Sequence, residues 1–262
     1  MLTKLPAQNK IAAFDIDAQN TFTPVCPDEL PVAEGDQIVE ELNAQAALAS
    51  LRIGSRDAHS SQAVWIAGNG HPVLSPVSGY PDVDVYWPAH AIVGTKGFEF
   101  ITGLDPKNYD FQVYKGIEID KHPYGACYHD LANTLSTGAI EYLREHGITT
   151  VICGGLATDY CVKNTVLQLR AAGFEVILNL AACRGIAPAT VAAALEEMRT
   201  HDVTIVRIKE TAVSTQTKRT SICSSFFHYY SYSFCHTSIP RWLGKIAGSN
   251  SGSTIPARFC FI

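Results

Sequence analysis

The run Thr150-Val151-Ile152-Cys153-Gly154-Gly155-Leu156-Ala157-Thr158-Asp159-Tyr160-Cys161 decides the fold. Its first four residues are β-branched or apolar and read as a buried strand. Beyond Cys161, apolar residues recur at Val162, Val166, Leu169 and Ala172, which is helical spacing. The glycines lie in the turn between. Cys161 is thus expected just inside the start of a helix that follows a strand. Unpaired backbone N–H groups and the positive end of the helix dipole are concentrated there. Such a place favours a thiolate, and its N–H groups can hold a developing oxyanion. Taken alone, Cys161 reads equally well as a small core residue.

Residues 1–210 alternate strand and helix signals on either side of that run. Strands are expected at 10–16, 51–57, 108–115, 150–153, 174–179 and 203–208. Helices are expected at 37–50, 131–146, 162–172 and 188–201, with Gly147 and Gly173 as stops and Pro188 near a first turn. This order predicts a three-layer α/β/α domain around a mostly parallel six-stranded sheet with right-handed crossovers. Ligands of such sheets bind at the carboxyl ends of the strands.

The chemically capable residues fall at those ends. Asp17 follows the first strand, Asp57 and His59 the second, Lys115 ends the third, and Cys161 follows the fourth. A buried carboxylate can take the proton of a thiol, and an ammonium beside them steadies both anions. That trio suits acyl transfer at an amide carbonyl. Asp57-Ala58-His59 places two donors on one side of an extended chain. His90, in Trp87-Pro88-Ala89-His90, adds a second imidazole, and the set suits Zn²⁺, Fe²⁺ or Mn²⁺ with waters. His71, in a Gly-Asn-Gly-His-Pro stretch, is a weaker candidate. The loop of about fifty residues that carries Trp87 and His90 is long enough to serve a site.

Composition bounds the rest. The chain has 262 residues, 47% hydrophobic and 17% charged, which suits a full globular core. The net charge of −5 gives no reason to expect nucleic acid. No apolar run has membrane-spanning length. Met1-Leu2-Thr3-Lys4 carries no apolar signal core, so a cytoplasmic protein with reduced thiols is expected. Charge and composition break near Glu210: residues 211–262 hold five Lys and Arg and no acid, leaving −10 on residues 1–210. The domain is therefore read as 1–210, and 211–262 as an atypical, poorly ordered tail.

The segments Asp15-Ile16-Asp17-Ala18-Gln19-Asn20-Thr21-Phe22, Arg56-Asp57-Ala58-His59, Trp87-Pro88-Ala89-His90 with Gly94-Thr95, Val113-Tyr114-Lys115-Gly116 and Gly154 to Val162 resemble, in order, the isochorismatase-like cysteine hydrolases. Within them the resemblance is greatest to the nicotinamidase branch. It implies Cys161 as nucleophile, Asp17 as proton acceptor and donor, and Lys115 as third member of the triad. It implies one divalent metal, Zn²⁺ ahead of Fe²⁺ or Mn²⁺, on Asp57, His59 and His90. Phe22 and Trp87 would sandwich a pyridine ring, Tyr124 would line the pocket, and Ala157 and Cys161 would donate the oxyanion N–H groups. The Leu156–Ala157 peptide would be cis. The implied reaction is nicotinamide to nicotinate and ammonia in NAD salvage, with pyrazinamide as a further substrate. The expected partner is that small molecule, with no nucleic acid and no membrane; a homo-oligomer is compatible. The alternatives are a related cysteine amidase for another small amide, or a non-catalytic binding protein on this fold. Two departures stand out. Thr21 replaces the more usual Asp, and no acidic or His residue matches a fourth protein ligand.

Overall fold

A computed structural model of the chain describes residues 5–210 and the backbone of a short strand at 259–261. Six parallel strands form the sheet: β1 (Ile11–Ile16), β2 (Leu51–Asp57), β3 (Phe111–Lys115), β4 (Thr150–Leu156), β5 (Glu175–Arg184) and β6 (Thr204–Val206). Their order is β3-β2-β1-β4-β5-β6. All residues of β1 and β4 are buried, as in a central parallel sheet covered on both faces.

Helices α2 (Ala139–Glu145), α3 (Lys163–Ala171) and α4 (Pro188–Thr200) cover one face. Their Leu143, Val166, Leu169 and Met198 pack with Phe14, Val151 and Val176. Burying each such side chain stabilises by about 1.5–3 kcal/mol. The other face is covered by α1 (Val39–Ala46) and by loop residues Phe100, Ile101 and Leu104.

The order of strands reverses direction between β1 and β4. That crevice is where sheets of this kind take ligands. Register makes the strand ends meet: Ile16 pairs with Gly155, and Asp57 with Lys115. The chain turns over Ile16 at Gly155, whose φ is +137°. A Cβ there would lie 1.9 Å from the Ile16 carbonyl oxygen, so only glycine fits.

Several expected elements differ. The helix expected at 131–146 is confined to Ala139–Glu145. The Asp130 carboxylate accepts the backbone N–H groups of Thr134 and Leu135 and holds 131–138 as turns. Short 3₁₀ turns at Gly35–Ile38 and Pro106–Asn108 shorten the helix expected at 37–50 and the strand expected at 108–115. β4 and β5 run further than the apolar runs suggest. The strand expected at 203–208 is two pieces, β6 and β7 (Ile208–Glu210), and β7 pairs antiparallel with β8 (Phe259–Phe261). Apart from that strand, the expectation for 211–262 lies outside the described residues. Among the described residues, no helix is long and apolar enough to cross a membrane.

Candidate active site

Asp17 leaves β1 fully buried, with a left-handed φ of 45°. Such a conformation costs about 1–3 kcal/mol at a residue other than glycine and persists where its surroundings enforce it. Ser55 on neighbouring β2 enforces it twice: its hydroxyl donates to Asp17 Oδ1 at 2.6 Å and accepts the Asp17 N–H at 3.1 Å. Asp17 Oδ2 has no well-aimed donor. It remains a free acceptor, with Lys115 Nζ 3.2 Å away.

Lys115 is completely buried, and burial alone would lower its pKa. The Asp17 and Asp57 carboxylates overcome that and hold it well above the usual lysine range, as an ammonium. Its Nζ donates to Asp57 Oδ1 and to the Pro123 carbonyl, and lies 3.8 Å from Cys161 Sγ. Oxygens of Asp17 and Asp57 and the Cys161 sulfur lie within 4.8 Å of one another.

Cys161 sits in a π-helical turn, Thr158–Val162, that leads into α3. The thiolate expected from that position is not the resting form. Burial raises the thiol well above its ordinary pKa; Lys115 opposes this, and Asp17 and Asp57 add to it. Desolvation thus works against the helix end, and a base beside the sulfur favours loss of its proton. Burial likewise raises Asp17 above its ordinary value, against the opposing pull of Lys115 and Ser55, and so makes the carboxylate a better proton acceptor.

Asp57, His59 and His90 meet beside this trio. His59 Nε2 is 3.5 Å from Asp57 Oδ1, and His90 Nε2 is 4.0 Å from Asp57 Oδ2. His59 Nδ1 donates to the Gly116 carbonyl at 2.9 Å, and His90 Nδ1 to the Pro88 carbonyl at 2.7 Å. Each bond leaves the Nε2 lone pair facing inward, the arrangement in which imidazoles hold metals. Gly116 (φ +67°) permits the first of them, because a Cβ there would lie 2.3 Å from the His59 ring. His59 Nε2 is buried without a hydrogen-bond partner. Burial holds His90 neutral, pushing its pKa down to about 3. A carboxylate and two imidazoles converging in this way fit a divalent transition ion.

Between the two groups opens a pocket with about 330 Å³ of empty space. Phe22, Trp87, Tyr124 and Tyr160 supply its aromatic wall, and Cys161 and Ala157 its floor. Trp87 Nε1 donates to Tyr124 Oη at 3.2 Å. The Leu156–Ala157 peptide is cis, as the resemblance implies. All the residues singled out from the sequence therefore gather at one rim, except His71, which is exposed and stacked on Tyr86.

Sequence reading missed three contributors. Ser55 is hidden inside a strand. Trp65, fully buried, packs against His59 and His90 at ring distances of 4.6 and 5.1 Å. His122 also belongs to the cluster, because nitrogens of His59, His90 and His122 lie within 4.8 Å of one another. The signal for His122 was its place in the loop leaving β3, two residues before Tyr124.

Cys161 thus lines a crevice at the switch point of a parallel sheet, with Asp17 and Lys115 buried beside it. The chain belongs to the isochorismatase family, whose domain matches residues 12–210. A nicotinamidase of Acinetobacter baylyi is 30% identical over 185 residues, covering 70% of this chain and 85% of that protein. A nicotinamidase/pyrazinamidase structure from Acinetobacter baumanii has a TM-score of 0.71 at 29% identity, covering 78% of this chain and 98% of its own. A Pyrococcus horikoshii pyrazinamidase, solved in complex with zinc, has a TM-score of 0.61 at 30% identity, covering 76% and 99%.

Proposed function

We propose that this chain hydrolyses nicotinamide to nicotinate and ammonia through a thioester on Cys161, in pyridine nucleotide salvage. Pyrazinamide, which presents the same flat ring and carboxamide, is a second substrate. The observation that carries this reading is the convergence of buried Asp17 and Lys115 on Cys161, whose side chain lines an aromatic pocket. The pocket's metal-ligating wall lies close enough for one ring-carboxamide to reach both.

Asp17 Oδ2, the free acceptor, takes the Cys161 proton as the sulfur attacks the carboxamide carbon. Lys115 stabilises the anions in a site from which water is largely excluded. The backbone N–H groups of Ala157 and Cys161 hold the tetrahedral oxyanion. When the C–N bond breaks, Asp17 returns the proton to the leaving nitrogen, which departs as ammonia. Asp17 then takes a proton from water, the hydroxide attacks the thioester, and nicotinate leaves as the thiol is reprotonated.

Asp57, His59 and His90 would hold the divalent ion, and the zinc in the Pyrococcus horikoshii relative favours Zn²⁺ over Fe²⁺ or Mn²⁺. When bound, that ion supplies a Lewis-acidic anchor for the pyridine nitrogen. Phe22 and Trp87 supply flat faces for the ring. Ammonia release from nicotinamide by the purified chain, with and without a chelator, tests the reading; no release in the metal-loaded protein refutes it.

A further inference from the structure

We propose that His122 is a fourth protein ligand of this metal centre, so that one carboxylate and three imidazoles hold the ion. The inference rests on the metal site of the proposed amidase and deepens it.

Both ring nitrogens of His122 are buried and lack a hydrogen-bond partner among the described residues. A buried polar atom left unpaired costs about 1–3 kcal/mol, so a packing role alone leaves this histidine unexplained. An apolar ring would fill the same space at no such cost. With its ring nitrogens unpartnered, His122 has a lone pair available to an ion. It faces a second unpaired donor, His59 Nε2, with His90 beside it.

The backbone holds His122 in that place. Its N–H donates to the Asp82 carbonyl at 2.8 Å. Trp65 Nε1 donates to the Lys121 carbonyl at 3.1 Å, and Lys115 Nζ to the Pro123 carbonyl at 3.2 Å. The residue is thus clamped on both sides. The His122 ring also stacks on His59 at 5.3 Å and lies edge-on to Trp65 at 4.5 Å. These bonds fix the backbone at His122 and the stacks fix its ring where it lines the pocket, so that a bound ion would satisfy one of its two unpaired nitrogens. The Lys115 bond to Pro123 further ties the same loop to the triad.

The direct test uses the full chain loaded with an NMR-active cadmium isotope and nitrogen-labelled at histidine. Coupling of cadmium to three imidazoles is expected; coupling to two overturns the proposal. In parallel, Zn²⁺ affinity is measured by competition with a chromogenic chelator in wild type and in His122→Phe, which keeps the ring stack. The variant should bind Zn²⁺ on the order of 10–100-fold more weakly, at least the loss known for outer-shell partners. A folded variant with wild-type affinity overturns the proposal. Neither readout needs turnover. Three coupled imidazoles without ammonia release would sink the amidase reading alone, and two with normal release would sink this inference alone.

Discussion

Lys115 donates a hydrogen bond to Asp57 Oδ1, and this bond links the two halves of the site. Asp57 is the carboxylate of the metal group, whereas Lys115 lies 3.2 Å from Asp17 and 3.8 Å from the Cys161 sulfur. In the proposed mechanism an ion at Asp57 would therefore act next to the ammonium beside the Cys161 sulfur. Lys115→Met should impair both halves: kcat should fall by at least about 100-fold, since oxyanion-type stabilisation is worth that much, and metal affinity should change. Turnover lost with metal content by elemental analysis unchanged would mean that the halves are independent.

Ser55→Ala removes the hydroxyl that orients Asp17 and favours its ionised form. Without that bond the Asp17 pKa rises further. The reaction needs the carboxylate, so the acid limb of kcat/KM should move to higher pH, with kcat down about tenfold. A pH profile superimposable on wild type would remove Ser55 from the account.

Chelation should lower Tm and raise KM for nicotinamide, and Zn²⁺ should restore both. An ion that binds only the folded chain stabilises it by mass action. If elemental analysis shows the metal gone while Tm and KM hold, the ion neither braces the fold nor anchors the ring.

Asp159, although beside the nucleophile, is structural. Its carboxylate accepts from the backbone N–H groups of Ile186 and Ala187 and from the Thr190 hydroxyl, pinning the chain where α4 starts. Asp159→Ala should cost about 1–3 kcal/mol, seen as a Tm several degrees lower, with KM within about twofold of wild type. A collapse of kcat at unchanged Tm would contradict this.

Gly155→Ala places a methyl group 1.9 Å from the Ile16 carbonyl at a φ of +137°. Overpacking plus backbone strain should destabilise by roughly 2–3 kcal/mol or more. Chemical denaturation would show it, and wild-type stability would mean that β1 and β4 are further apart.

Much of this site was legible because parallel strands in register bring their ends together. Asp17, Asp57, Lys115 and Cys161 all lie at or just past the end of an apolar run, so placing the strands placed the residues. For Cys161 the sequence shows the helix start, which favours the thiolate, but not the burial and the two neighbouring carboxylates that raise the thiol's pKa. His122 escaped because its loop has no periodic pattern. Hydrogen bonds between the backbone of 121–123 and the Asp82 carbonyl, the Trp65 indole and the Lys115 ammonium hold it beside the other imidazoles, and none of these is visible as spacing. The over-long helix at 131–146 failed for a related reason: one side chain, Asp130, captures N–H groups that a helix would have used.

The most direct measurement is intact-protein mass spectrometry of the metal-loaded chain quenched during turnover of nicotinamide, alongside ammonia release. The account predicts one nicotinoyl group on Cys161 in wild type. In a folded Cys161→Ala variant it predicts no adduct and a rate lower by about 10⁴-fold or more. Ammonia release at near the wild-type rate from that variant would contradict it.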